Sequence, residues 1–495
     1  MNFIEKHHIE ISCAKQSTAK HIQHEIGYVF EQTLYPKLDE LLSRYDVSDH
    51  VWQVETLEVS IPSLTMSNWK HNLISAILEQ VEAFFAANQP KQKVNEKTAS
   101  NNHKIISKDF LYQQLLVQYL TEGKLSLNTS TDRLSDIMDI VKVDEQFSDA
   151  LFNAIEQDSE LLHNVVLRLV LNLPHQLQRA LADTLNVAKD IDGLRAILKQ
   201  GPKSLEPFAL YLLWITIINS SGPNCNTKTL TDAILKSAHT YFNISEPELI
   251  KHIEIWQTRI HSKTFKNKVI FIGFQKTLVS IASKVAGVNA NTKQKNDDTS
   301  FKNATNTDIE SILEALQGYS HNESQEDTSY MYIKNAGIVI LSPFLVPLFE
   351  RLGYLDASQW KDEVLQHRAI LLLHYLVYGT TEIFENELVL NKIFCGVAVT
   401  TAVKTDWDIT KEEKVQCQEL LESVITHWSI LKDTSVTTLR DTFLQRNAKL
   451  TEYKEAQYEL IVEHQSIDIL LDHLPWGIGT IKTPWMKHFL TCQWL

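Results

Sequence analysis

Ile9, Ile11 and Cys13 alternate with Glu10 and Ser12, and Leu57, Val59 and Ile61 alternate with Glu58 and Ser60, the period-two pattern of half-buried strands. Between them Ile22, Ile26, Val29, Phe30, Leu34, Leu38, Leu41 and Tyr45 keep the spacing of one helical face. Pro36 falls inside that run and is expected to kink the helix or open a new one. A second helix is predicted from Trp69 to Ala87. Residues 1–88 therefore read as a small α+β unit. Residues 89–104 contain almost nothing to bury and read as a linker.

Residues 105–285 carry helical periodicity with frequent stops at Pro174, Pro202, Pro207, Pro223 and Pro247, which predicts a set of short helices with no repeat of fixed period. Residues 286–330 are polar and read as a flexible linker, interrupted by a short amphipathic segment at 309–316. Residues 331–495 form the last expected domain. Ser342 is expected as an N-cap before Pro343, with Gly353 as the left-handed C-cap of the same helix. Gly379 and Gly396 suit the ends of the next two helices, and Thr410 with Glu413 has capping-box spacing. After Arg446 the period changes: 450–453 and 458–462 read as a hairpin, and 478–482 and 490–494 as further strands. The fold class predicted is α+β and predominantly helical, with the last domain ending in a small antiparallel sheet.

A chain of 495 residues has room for about three domains. Its 14 glycines leave little turn punctuation for an all-β fold or a glycine-lined nucleotide site. A net charge of −14, from 47 basic and 61 acidic residues, makes nucleic acid a poor partner. The five cysteines form no close pair, which suggests neither a disulfide framework nor a zinc cluster. The longest apolar stretch, 208–218, is far short of the roughly 20 residues that span a bilayer, and the first residues have no apolar core of a signal peptide. A soluble chain made in the cytoplasm, without direct membrane insertion, is expected.

No phosphate-binding glycine loop, zinc-protease HExxH, nucleophile elbow or EF-hand loop is present. His367 and His374 fall near one helical face, but two histidines without a placed carboxylate read as structural. Cys395 with His427 or His464 would be the thiol and base of a remote hydrolase reading, for which Cys417 is the other thiol; buried structural cysteines are the stronger reading. Asp406 and Asp408, flanking Trp407, suit the positive end of the helix that follows. Trp476, Trp485, Phe489 and Trp494 form an aromatic cluster suited both to a core and to an interface, and Pro475 and Pro484 fix the backbone before two of the indoles.

Four ordered blocks carry a resemblance. NAGIVILSPFLVPLFERLGYL at 335–355, ENELVLNKIFCG at 385–396, LLESVITHWSILKDTSVTTLRDTFLQR at 420–446 and LLDHLPWGIGTIKTPWM at 470–486 resemble the tape measure protein family of contractile injection systems. LYPKLDELL and VETLEVSI extend it to the first 88 residues. One departure stands out: Gly123-Lys124-Leu125 continues as Ser126-Leu127-Asn128, where the family often has Pro-Trp-Trp. The resemblance implies a non-enzymatic structural and assembly protein, without cofactor or metal, that sets inner tube and sheath length. Its implied partners are the inner tube, spike or hub, and baseplate proteins. Its implied place is the cytoplasm during assembly and then the injection particle. Trp476, Trp485, Met486 and Trp494 are the candidate partner-binding residues. The alternative is a helical adaptor or assembly chaperone of the same particle that leaves after assembly.

Overall fold

The computed structural model describes residues 4, 7–46, 50–61, 63–64, 66–88, 103–125, 133–157, 161–198, 205–221, 227–261, 265–292, 329–453 and 457–494. Two compact units emerge, Met1–Leu116 with Leu127–Lys142, and Val117–Ser126 with Val143–Leu495. The division runs through helix α4 (Lys108–Glu122) and differs from the expected boundaries: most of the helical middle shares one unit with residues 331–495. Among the described residues no helix is long and apolar enough to cross a membrane.

In the first unit, α1 (Gln16–Val29) passes through a π turn (Phe30–Leu34) into α2 (Tyr35–Ser43). The π turn answers the question posed by Pro36. Proline lacks the N–H that would reach back four residues, and the wider turn, closed by Tyr35 N–H on the Phe30 carbonyl, lets the helix run on. Helix α3 spans Trp69–Ala87, as the periodicity predicts. Ile22, Phe30, Leu34, Leu38, Trp69, Ile74 and Val81 fill the core.

The strands of this unit are not the expected ones. β1 (His50–Val54) pairs antiparallel with β2 (His103–Ser107), so the end of the supposed linker is a strand; residues 89–102 lie outside the described set. Ile9 and Ile11 are exposed in a segment without regular structure. Leu57, Val59 and Ile61 do alternate in burial with Glu58 and Ser60, but the segment joins no sheet. The Gln80 side chain takes a strand's place there, accepting from Ser60 N–H at 3.2 Å and donating to its carbonyl at 2.6 Å. Alternation reports which side of a segment is buried, not what bonds its edges.

The second unit begins with short helices: α6 (Glu145–Gln157), α7 (Leu161–Leu171), α8 (His175–Thr184), α9 (Ala188–Leu198), α10 (Glu206–Ser221), α11 (Thr227–Thr240), α12 (Glu246–Arg259) and α13 (Lys268–Thr292); α5 (Leu134–Ile140) belongs to the first unit. Pro174 precedes α8, and Pro207 and Pro247 occupy the first turns of α10 and α12; Pro202 and Pro223 lie outside the described residues. The apolar run at 208–218 is the buried helix α10, packed against α7, α9 and α13. The polar stretch after α13, including 309–316, also lies outside the described residues.

β3 (Ser329–Ile333) then leads through a buried 3-10 turn (Ala336–Leu341) into α14 (Ser342–Arg351). Ser342 is the first helical residue and not the N-cap. The 3-10 turn runs straight into the helix and its Val339 carbonyl accepts Ser342 N–H, so no hydroxyl is needed. Gly353, Gly379 and Gly396 have φ of +70°, +73° and +70° at the ends of α14, α15 (Glu363–Tyr378) and α16 (Val389–Phe394). Thr410 and Glu413 form the capping box of α17 (Lys411–His427).

After the short antiparallel pair β4 (Leu355–Asp356) and β5 (Gln359–Trp360) between α14 and α15, β6 (Ala448–Tyr453) and β7 (Gln457–Val462) make the expected hairpin, and β8 (Thr480–Ile481) and β9 (Leu490–Gln493) extend it. The sheet order is β3-β6-β7-β9-β8. It is mixed, because β9 returns parallel to β7, with Leu460 beside Cys492. Met331, Leu450, Leu460 and Cys492 line its buried face.

Candidate functional site

Helix α7 is an apolar run, LLHNVVLRLVL, interrupted by a fully buried Arg168. A charge costs several kcal/mol to bury unless every polar group around it is matched. Here Arg168 Nε donates to both oxygens of Glu385 at 3.1 Å, Nη1 to the carbonyls of Leu120 and Thr121 at 2.8 and 3.2 Å, and Nη2 to the carbonyl of Thr400 at 2.6 Å. Glu385 also accepts from Lys392 Nζ at 2.8 Å, Asn172 Nδ2 at 2.8 Å and Tyr119 Oη at 3.3 Å. Lys392, itself buried, gives a further bond to the Val399 carbonyl at 3.0 Å.

Burial alone would raise the Glu385 carboxyl, but Lys392 and Arg168 outweigh it and hold it below the ordinary range. Burial depresses the Lys392 ammonium, with Glu385 opposing. Tyr119 is pushed up by burial and then by Glu385, which keeps its hydroxyl a donor.

The cluster joins three separate pieces of sequence. Leu120 and Thr121 stand in the last turn of α4, whose carbonyls have no helical partner, and the guanidinium caps them where the helix dipole favours a cation. The loop after α16 is held by Lys392 at Val399, by a turn bond from Thr401 N–H to the Ala398 carbonyl, and by several side chains of the helical middle. Besides Thr400, Ala402 N–H donates to Asn164 Oδ1, the Ala402 carbonyl accepts Tyr241 Oη, and the Val403 carbonyl accepts Asn172 Nδ2. Without these partners the loop would bury backbone groups unpaired.

Gly123 explains the turn that precedes the departure noted in the sequence. Its φ is +71°, and a Cβ there would stand 2.4 Å from Arg168 Nη2. Lys124 then reaches Ser329 and Glu452 of β3 and β6 at 3.2 and 3.1 Å. Gly123→Ala is therefore expected to destabilise more than Gly353→Ala, where φ is also +70° but the nearest atom, Lys361 Nζ, is 3.6 Å away. The left-handed conformation costs about 1–3 kcal/mol in both; only Gly123→Ala also displaces the guanidinium. Equal losses of Tm would show that the close approach contributes nothing.

Several other buried polar side chains also join distant segments. Asn335 donates to Asn391, which donates to the Ile370 carbonyl, at 2.8 and 3.0 Å. Arg446 holds Asp468 through two bonds of 2.5 and 2.9 Å and lies 5.2 Å from the Trp494 ring. Arg440 caps the Tyr375 and Leu376 carbonyls near the end of α15. Gly337 would place a Cβ 1.8 Å from the Phe443 carbonyl oxygen, so two stretches of backbone touch there.

The aromatic candidates belong to this frame. Trp476 is half-buried against Phe344 and donates to the Ile340 carbonyl at 3.0 Å. Trp485, half-buried beside Trp360 with ring centres 4.5 Å apart, donates to the Phe394 carbonyl at 2.6 Å. Met486 and Trp494 are buried. Phe489 is the exposed member of the cluster, at 59%, with Lys482 over its ring.

Cys395 is fully buried, and burial pushes its thiol well above the ordinary value; burial also raises Cys417, to about 12. An activated nucleophile needs the opposite shift. His427 is exposed and bonded to the Ser423 carbonyl at 2.7 Å, and His464 is exposed. His374 is bonded to the Glu382 carbonyl and His367 packs edge-on against Tyr241. Among the described residues no group of three His, Cys, Asp or Glu side chains is placed to hold a metal ion. Arg368 accounts for the Trp407 region: it lies over that ring, donates to the Asp408 carbonyl and pairs with Glu413.

The charged cluster is closed to solvent, so its chemistry is to fix the register of distant segments. Sequence reasoning singled out none of Tyr119, Arg168, Asn172, Glu385 and Lys392. The available signal was an arginine inside an apolar helical run, with Glu385 and Lys392 in one of the four blocks.

The family described as Contractile injection system tape measure protein matches residues 1–494, a span that includes all four blocks. The chain belongs to this tape measure family. No curated protein and no solved structure matches it. The family is a structural component of contractile injection particles, and tape measure proteins associate with tube and sheath components. The buried Asn335, Glu385, Asn391, Lys392, Arg446 and Asp468 all come from or adjoin the blocks that first suggested the family.

Proposed function

We propose that this tape measure protein acts without enzymatic chemistry, setting the length of the inner tube and sheath while its folded ends are held by spike, hub or baseplate proteins. The closed cluster around Arg168 and Glu385 supports this reading most directly. It ties the end of α4 and α7 to the C-terminal segment, with Arg168, Glu385 and Lys392 paired to one another and closed to solvent. In this reading α4 and α7 stay with the C-terminal anchor and α8–α13 bear the length. Residues 175–292, which hold α8–α13, would reach about 180 Å at helical rise if fully drawn out. Assembly takes place in the cytoplasm, and the chain then stays inside the particle. The C-terminal sheet is the proposed docking end, with exposed Phe489 reaching the partner and Trp476, Trp485, Met486 and Trp494 shaping the surface from beneath.

The test is to delete residues 175–198, which hold α8 and α9 and none of the cluster residues. Extended particles are expected to shorten by at most about 36 Å at helical rise, and duplication to lengthen them by a similar amount. Micrographs showing unchanged length would refute length setting and favour a chaperone, whose absence from purified particles mass spectrometry would reveal.

A further inference from the structure

Helix α13 is apolar on two sides. Ile270, Phe274, Leu278, Ile281 and Val285 are buried in the unit, where the helix packs on α10, α11 and α12. On the other side Val269, Ile272 and Val279 are 64%, 52% and 53% exposed. Phe271, Ile272, Gln275, Lys276, Val279 and Ser280 line an open groove of about 430 Å³ there. Positions 269, 272, 276, 279 and 283 are all exposed and follow alternating steps of three and four, the spacing of a seam that receives another helix. Three of these five positions, Val269, Ile272 and Val279, are apolar, and Lys276 and Ser283 are polar.

Charge narrows the choice of occupant. α13 has no acidic residue; Lys284 is already paired with Asp232 of α11, which leaves Lys268 and Lys276 as the lysines toward the outer face. A second copy docking antiparallel about the middle of this face would set Lys276 against itself, so an acidic partner is favoured. The chain contains such a segment just beyond the helix. Ile309, Ile312, Leu313 and Leu316 share one helical face, Asp308, Glu310 and Glu314 flank it without any basic residue, and Thr307 with Glu310 has capping-box spacing.

We propose that the outer face of α13 is the docking site of residues 307–316 of the same chain, which lie outside the described residues. The tether permits it. Val279 is about 20 Å from the end of α13 at helical rise, and residues 293–306 span up to about 46–50 Å when extended. The inference is independent of the length-setting role.

Hydrogen exchange on the full-length protein tests it. Amides of 309–316 are expected to exchange at least about tenfold more slowly than a free chain, independent of protein concentration. The double substitution Ile272→Asp and Val279→Asp should abolish that protection while amides at Phe274 and Leu278 keep theirs. Free exchange of 309–316 in the unaltered protein would overturn the proposal, as would protection that survives the double substitution. Protection that grows with concentration would assign the face to another copy instead. If the double substitution also releases the buried amides of α13, Lys276→Glu is read alone: it should speed exchange at 309–316, and Glu310→Lys with Glu314→Lys should restore it. No response to the charge changes would also overturn the proposal.

Discussion

Arg168→Met is expected to cost about 3–5 kcal/mol, the usual loss when one partner of a buried ion pair is removed. Glu385 would keep only Lys392 as a charged partner, and the carbonyls of Leu120, Thr121 and Thr400 would lose their donor. Urea unfolding followed by tryptophan fluorescence measures the loss as a lower midpoint. A triple variant, Arg168→Met, Glu385→Leu and Lys392→Met, decides what the charges are for. In an isolated ion pair such a replacement is often neutral or stabilising. Here it should not recover the parent stability, because it also strands four backbone carbonyls, each worth about 1–3 kcal/mol when buried unpaired. Full recovery would mean that the cluster is a replaceable ion pair and not the element that fixes the loop after α16.

The contrast between what was legible in the sequence and what was not has one physical root. Helix α3, the Thr410–Glu413 box, the glycine stops and the β6–β7 hairpin are each encoded within a few residues, by periodicity, side-chain reach or a left-handed φ. The Gln80 amide that replaces a strand beside Ser60 is encoded by contact, as are the parallel return of β9 and the Arg168 cluster. Tyr119 and Glu385 meet across 266 residues, and no local spacing records that. The same reason hides the hydrogen-bond partners of Trp476 and Trp485. Each indole N–H is committed to a carbonyl in a distant block. Had each been read as an amphipathic ring needing one polar partner, that partner would still have been unknown.

Acid should weaken the second unit well before its carboxylates protonate. Burial lowers His163, His367 and His374 to about 4 each, from an ordinary 6.5. The surroundings of His163, between Tyr211 Oη at 2.6 Å and Ser237 Oγ at 2.9 Å, fit the neutral ring, and at His374 burial outweighs the opposing bond to the Glu382 carbonyl. Between pH 6.5 and 4 the unfolded chain binds protons that the folded chain does not, so stability falls as pH falls through that window. At its centre each histidine contributes a slope of up to about 1.4 kcal/mol per pH unit, and the three together about 4. Depressed carboxylates act lower. Glu413, held at about 2 because Arg368, Tyr354 and Thr410 outweigh its burial, loses its contribution only as pH falls from about 4.5 towards 2. The urea midpoint measured from pH 7.5 to 5 should therefore drop steeply, and His163→Gln, His367→Gln and His374→Gln combined should flatten the curve even if the variant is less stable at pH 7.5. A midpoint that stays level over this range in the unaltered protein would mean that these rings can gain a proton without opening the fold.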